Sequence, residues 1–598
     1  MIFGEENRRK KIEERTKKNM KIKFQYKITM LTLFLGTQIS FSQKKDENIG
    51  TEVVNVVKPY TPSISDAFKV KETPNLDDED NSKKEDIKYN IFSFPVASTF
   101  TPSKGVASAV DKTEQERLYK NYFTLGFGTY KSAITELFVT ENIGENQYVG
   151  GMLRHQSSQG GIKNVPLDDK FSNTGLDLVY GNKQQNYAWK TDLGYQRQGF
   201  NWYGLPEDFG STLAPTDLQN LINGINPKHI YQNLSLGGKI SFNEGVFNEM
   251  SLKFNHFWDS YGSSENRFYA KPTFDFDIME SKIKTNILVD YVGGSFKNSV
   301  FSSKYGFVNL GLNPNYVLAK DDLSVNLGVN LFFSTDNENT KNKFFIYPKV
   351  RASYKVVGDY MIAYAGAEGE LKQNSYRDFT QENPFLSPTL NIAPTDSQYD
   401  IYVGLKGKLA NNIAYNVRGS YLNEKNKALL KSNNYSETRL NENYGFGNSF
   451  QVVYDNLKTI AFFGELKANF SKNVEFGVNG TFSTYNSDLE QEAWNLPQLK
   501  IGSSVDVIIT RKWFAGANVF FVGERKDQQQ NLILSSIKPT TTLGSYFDAN
   551  LNVGYKYNDR LTAFFKANNI ANQAYQKWLN FPVQQFQLVL GANYKFDF

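Results

Sequence analysis

From about Asn121 to Phe598 the chain alternates apolar and polar side chains with a period of two, in segments of about 10 to 15 residues parted by turns or polar loops. The last segment is the clearest: Phe586, Leu588, Leu590, Ala592, Tyr594, Phe596 and Phe598 point one way, and Gln587, Gly591, Asn593, Lys595 and Asp597 the other. Leu323, Val325, Leu327, Val329 and Leu331 oppose Ser324, Asn326, Gly328 and Asn330 in the same manner, as do Val474, Phe476, Val478 and Phe482 against Glu475, Asn479 and Thr481. Strands of this kind have one apolar face, and that face must be covered.

In a soluble sandwich another sheet would cover it, and a chain of 598 residues would divide into domains joined by linkers. No such linker is visible. In a membrane barrel the apolar face meets lipid, the polar face lines a wet lumen, and aromatics gather at the strand ends. Closure also satisfies every backbone group without a helix. The composition agrees: 15% aromatic residues and 44 glycines stand beside a mean hydropathy of -0.49, the average of a greasy outside and a wet inside. The expected fold is therefore all-β, a transmembrane antiparallel β-barrel in the outer membrane.

Segment starts fall near Tyr122, Ser132, Gln147, Ser172, Asn186, His229, Phe247, Asn266, Ile283, Tyr305, Leu323 and Phe344, then Tyr360, Tyr399, Ile413, Phe450, Val474, Leu499, Trp513, Tyr546, Leu561 and Gln585. That predicts about 22 strands, an even count with both ends periplasmic. Long loops should then follow odd strands and tight turns even ones. Long polar connections lie at about 199–228, 372–398, 423–447, 486–497, 524–544 and 572–583, with tight turns such as 243–245, 410–412 and 557–559 between them.

The start of the chain reads as export machinery. Residues 1–19 are highly charged and resemble a spurious upstream extension, with the true start at Met20. Residues 20–42 follow the signal-peptide pattern: basic Lys21, Lys23 and Lys27, an apolar run from Ile28 to Ile39, and small Ser40 and Ser42, with cleavage after Ser42. The apolar run is too short to cross a hydrocarbon core of about 30 Å as a helix; the alternative is an N-terminal anchor helix. Residues 43–120 form an N-terminal segment, periplasmic or lumenal, whose acidic run (Asp77, Asp78, Glu79, Asp80, Glu85 and Asp86) and scattered prolines resist burial; residues 121–598 form the barrel. The absence of cysteine excludes disulfides and a lipoprotein anchor. A net charge of +5 without basic–aromatic clusters argues against nucleic acid.

Two stretches resemble signatures of TonB-dependent receptors. Leu561-Thr562-Ala563-Phe564-Phe565-Lys566-Ala567-Asn568-Asn569-Ile570-Ala571-Asn572-Gln573-Ala574-Tyr575, followed by Tyr594-Lys595-Phe596, is similar to that family's last hairpin. Tyr454-Asp455-Asn456-Leu457 with Gly464-Glu465-Leu466 resembles its Asn-to-Gly-x-Glu-Leu pattern on a long strand. The idiom suggests a Bacteroidota relative. The resemblance implies transport of a bulky ligand, with loops such as 372–398 and 423–447 capturing it. It also implies that Thr51, Glu52, Val53, Val54, Asn55, Val56 and Val57 form a TonB-box-like segment able to lend a strand to a partner's sheet edge, against the plain reading of an ordinary extended stretch. Tyr594, Phe596 and Phe598 resemble the C-terminal signal for the barrel-assembly machinery, and also serve as girdle aromatics.

The pattern departs from the family at its other end. Only about 78 residues, 43–120, precede the first strand, too few for the folded plug of the family. A lumen this wide needs an occluder. The N-terminal segment with infolded loops, a separate plug protein, or a partner complex in which the chain is a scaffold would each serve.

No catalytic constellation, metal site or cofactor is expected. His155, His229 and His256 lie in separate segments without ligand spacing and read as solvated lumen or rim residues. Pro215-Thr216-Asp217 ahead of Leu218, Leu221 and Ile222 is a helix start within a long loop.

Overall fold

The computed structural model describes residues 119–278, 281–297, 302–435, 442–531 and 536–598. The upstream extension, the signal peptide, the acidic run and the segment Thr51 to Val57 lie outside the described residues.

Twenty-two strands form one closed antiparallel sheet, each paired with its neighbours in chain order. The first, Asn121–Gly128, pairs with the last, Gln587–Phe596, in continuous register from Asn121↔Phe596 to Gly128↔Val589. Closure leaves no open edge, which a barrel in lipid requires. Alternation decides which face looks out. On adjacent strands Leu310, Phe333, Leu331 and Ile346 share the outer face, where Ile346 is 65% exposed. Across the sheet, Asn313 and Asn330 face inward, the Asn313 amide donating to Asn330 Oδ1 at 2.8 Å. No described helix is long and apolar enough to cross a membrane.

The connections differ by end. At one end they are short: 143–146, 184–186, 243–246, 411–412, 472–473, 509–512 and 557–560. The other end carries 159–170, 202–227, 373–394, 433–449, 488–498, 523–545 and 569–586. Outward aromatics ring the short-turn end: Tyr187, Phe242, Phe247 and Phe274 follow one another at centroid spacings of 6.3, 5.5 and 5.4 Å, and Trp513 meets Tyr555 at 4.7 Å. Tyr594 and Phe598 are exposed at this end, and Phe596 stacks on Tyr594.

Four features depart from the sequence expectation. Hairpins at 129–131, 260–263 and 337–340 are tight although they sit at the long-loop end. Strand Ile413–Ser432 runs well past Asn423, because a bulge between Glu424 and Lys427 re-registers it on Phe450–Ser471. The connection 523–545 contains its own hairpin, Arg525–Asn531 with Ser536–Leu543, outside the barrel sheet. A second short helix is also present. The expected one is α1, Pro215–Gly224, with proline in its first turn; the other is α2, Tyr376–Glu382, capped by Ser375, whose hydroxyl accepts from Asp378 N at 3.0 Å.

Candidate functional site

The long loops do not stand away from the barrel; they fold into its mouth. Residues from 159–170, 202–227, 373–394, 433–449 and 569–586 join the strand ends in one buried cluster. Trp202, Tyr376, Leu386 and Phe450 are fully buried there. Phe581 stacks on Phe385 with centroids 3.9 Å apart and lies 4.9 Å from Tyr203. Gly204 makes this approach possible, since a Cβ at that position would sit 2.4 Å from the Phe581 ring. Large apolar side chains from separate loops thus form a core above the lumen, and burial holds the loops in.

Buried carboxylates fasten this cap to the wall. Glu265, on strand Ser264–Ile278, accepts from Tyr376 N at 2.6 Å, Arg377 N at 3.2 Å and the Tyr305 hydroxyl at 2.8 Å. Asp259 accepts the Tyr376 hydroxyl at 2.8 Å. Arg267 bridges the wall and α2, donating to both oxygens of Asp290 at 2.8 and 2.9 Å and to Asp378 at 2.7 Å. Asp455 accepts Leu489 N at 2.9 Å and Glu490 N at 2.8 Å, and Asp527 accepts Ser432 N at 3.0 Å and the Asn495 amide at 2.8 Å. Charge-assisted bonds to backbone N–H groups are the stronger kind, and each one ties a loop to another element.

Burial pushes the Asp527 carboxyl up to about 6, against the opposing pull of its hydrogen bonds from Ser432, Asn495 and Gln528. The folded state therefore binds more protons than the unfolded one between the ordinary carboxylate range and about pH 6, and local stability falls as pH rises through that window. We expect the packing of 525–531 against 432 and 495 to be tighter at pH 4 than at pH 7.5, by up to about 3 kcal/mol. Limited proteolysis of 523–545 at the two pH values reads it. Asp527→Asn should abolish the difference, and a pH response unchanged in that variant would refute the assignment.

Below the cap the wall is charged. A cavity of about 290 Å³ is lined by Glu136, Arg154, Asp177, Asn233 and Lys253, with Arg377 reaching in from the capping loop. Arg154 pairs with Asp177 at 2.6 Å; Arg351 pairs with Glu368 at 2.5 Å, which also accepts from Tyr402 at 2.6 Å; Arg418 pairs with Asp400 and lies over the Tyr402 ring. The surface is polar and of mixed sign.

The histidines occupy three different settings. His155 bonds Thr174 Oγ1 at 2.8 Å, and His256 bonds Asn266 at 2.8 Å and stacks on Trp258. His229 is not solvated as its sequence context suggests. It is fully buried in the cap between Trp202 and Tyr231, at 4.3 and 4.1 Å, and neither ring nitrogen has a hydrogen-bond partner among the described residues. Among the described residues no group of three or more His, Cys, Asp or Glu converges as a metal site. The loops expected to capture a ligand, 372–398 and 423–447, contribute Phe379, Phe385, Tyr444 and Phe446 to the cap core. The fastening carboxylates were missed: Asp259 and Glu265 sit at strand ends, but Asp455 lies within a long strand and Asp527 in the hairpin outside the barrel sheet, so no common sequence signal marks them.

No protein-family model and no curated protein matches the chain. Solved structures do match in fold. The ferric-catecholate import receptor Fiu from E. coli K12 aligns with a TM-score of 0.59 at 11% identity, covering 81% of this chain and 82% of that one. The siderophore receptor PirA from Acinetobacter baumannii gives 0.59 at 13% identity, over 80% of each chain. The FrpB iron transporter from Neisseria meningitidis gives 0.60 at 11% identity, over 80% of this chain and 82% of its own. At this identity the likenesses show a shared fold.

Proposed function

We propose that the chain is an outer-membrane barrel of the TonB-dependent-receptor type that moves a bulky ligand across the membrane, with the long loops outside and both termini periplasmic. The observation that carries this reading is the cap: ligand-sized loops folded into a wide mouth above a charged lumen form a gate, and a gate serves regulated passage. The names of the fold neighbours, an import receptor, a siderophore receptor and an iron transporter, support the same direction. In this reading Thr51 to Val57 engages TonB and Tyr594, Phe596 and Phe598 present the chain to the assembly machinery. Loss of TonB and deletion of Thr51 to Val57 should each abolish the chain's uptake phenotype. Uptake that survives both would overturn the proposal.

A second reading has its own support. The cap is packed as a core and fastened by Arg267 and Glu265, which suits a closed scaffold subunit of an envelope complex. Affinity purification of an internally tagged copy from native membranes separates the two: stoichiometric envelope proteins favour the scaffold, and the barrel alone favours the transporter. An open diffusion pore is disfavoured by the same cap.

A further inference from the structure

Near the long-loop end one seam of the barrel wall stops short and leaves a notch. Pairing between Val474–Ser487 and Leu499–Ile508 stops at Phe482↔Leu499, although the first strand continues to Ser487, paired on its other edge with Leu457. On the far side the last pair is Lys500↔Val522, after which the chain leaves for the hairpin Arg525–Asn531 with Ser536–Leu543. The connection 488–498 turns inward instead of filling the gap. Its Trp494 is buried, and the Asn495 amide donates to Leu430 O and Asp527, both at 2.8 Å. A cavity of about 610 Å³ is left in the notch.

Its lining changes character with height. The floor consists of Phe482, Leu499 and Phe521, on the same outward face as Ile501 and Phe547, which are exposed. Above them that face turns polar at Thr484 and Asn486, and Lys458 pairs with Asp488 at 3.6 Å, so the notch straddles the upper edge of the apolar band. The rim carries Glu490, Glu492 and Glu524. Glu490 is engaged by Lys431 at 3.0 Å and by Trp494 Nε1 at 2.7 Å. Glu492 and Glu524 make no ion pair among the described residues, and the two cations of the lining are engaged elsewhere, the Arg525 guanidinium donating to the carbonyls of Lys577 and Gln576 and the Lys526 ammonium to Thr542 at 2.7 Å.

We propose that this notch binds a membrane lipid with an amine-bearing headgroup. Its hydrocarbon lies on Phe482, Leu499 and Phe521, continuous with the lipid-facing wall, and its ammonium meets Glu492 and Glu524. The occupant follows from position and charge: only a molecule already resident at the band edge meets both halves of the lining, and unpaired carboxylates select a cation. The inference rests on the lipid-facing reading of the wall and is independent of the transport reading.

The test uses native mass spectrometry of the full chain in mild detergent, with equimolar phosphatidylethanolamine and phosphatidylglycerol bearing identical acyl chains. The wild type is expected to retain one phosphatidylethanolamine in preference to phosphatidylglycerol. Glu492→Gln combined with Glu524→Gln should reduce that preference about fivefold, the size of two partly exposed charge pairs. Neither carboxylate holds the fold, so the heat-modified gel mobility of the double variant should match the wild type. Equal retention of the two lipids by the wild type, or a preference unchanged in the double variant, would overturn the proposal.

Discussion

Replacement of Glu265 by alanine is expected to unclamp α2 from the barrel wall and to speed hydrogen exchange across Tyr376–Glu382 by about a hundredfold or more. The side chain is almost fully buried and accepts three hydrogen bonds, two of them from the first amides of α2. Alanine leaves two buried donors and the part-buried Arg377 N unpaired, at about 1–3 kcal/mol for each buried one. A local loss near 3 kcal/mol corresponds to an opening equilibrium raised about 150-fold. Arg267 still holds Asp378, so the expected opening is of the helix and its flanks, and the barrel sheet should keep its protection. Glu265→Gln keeps one acceptor oxygen for an amide and should have a smaller effect. Exchange at Tyr376–Glu382 unchanged in Glu265→Ala would show that apolar packing alone secures the cap. If the cap is the gate, the alanine variant should also admit antibiotics too large for diffusive entry.

The barrel could be read from the sequence because its rule is local. Leu588, Leu590 and Ala592 declare their face by alternation alone, and the observed strand starts, Asn121, Phe247, Leu323, Phe450 and Leu561 among them, fall at or within a few residues of the expected ones. Lipid on one side and water on the other leave each strand little choice. The cap obeys no such period. Tyr376 meets Glu265 across 111 positions and Asn448 meets Trp202 across 246, through single contacts that imprint no repeat on the chain. Phe385 and Phe446, in stretches rich in Asn, Pro and Gly, read as loop residues, and only the assembled structure shows that they share a core. The hairpin Arg525–Asn531 was hidden for another reason. Gln528, Gln529 and Gln530 carry no apolar face, because this hairpin stands outside the barrel sheet and needs none. His229 has the same lesson in reverse: a polar residue on the inward face reads as wet, yet the loops that bury it come from elsewhere in the sequence.

The position of a phenylalanine should therefore decide what its removal does. Phe581→Ala is expected to loosen the cap by about 3–5 kcal/mol, the range for truncating a large buried aromatic. The ring is stacked on Phe385, lies 4.9 Å from Tyr203 and 5.8 Å from Phe450, and so joins the loops 202–227, 373–394 and 569–586 to a strand end. Its neighbour Pro582 also accepts the Tyr203 hydroxyl at 2.9 Å, a bond that fixes the ring's approach to Gly204. Without the ring, Phe385 and Tyr203 lose a shared partner and the buried Trp578 nearby gains access to water. The variant should show red-shifted tryptophan emission and faster proteolysis within 202–227 and 373–394, while its heat-modified mobility stays that of a closed barrel. Phe462→Ala provides the contrast. That ring lies on the lipid-facing side of the wall, 59% exposed in the absence of lipid, and leaves no internal cavity when truncated. Loop proteolysis should not change there. Equal effects from the two substitutions would mean that the loops are held by the barrel wall and not by one another, and the cap would then be no separate cooperative unit.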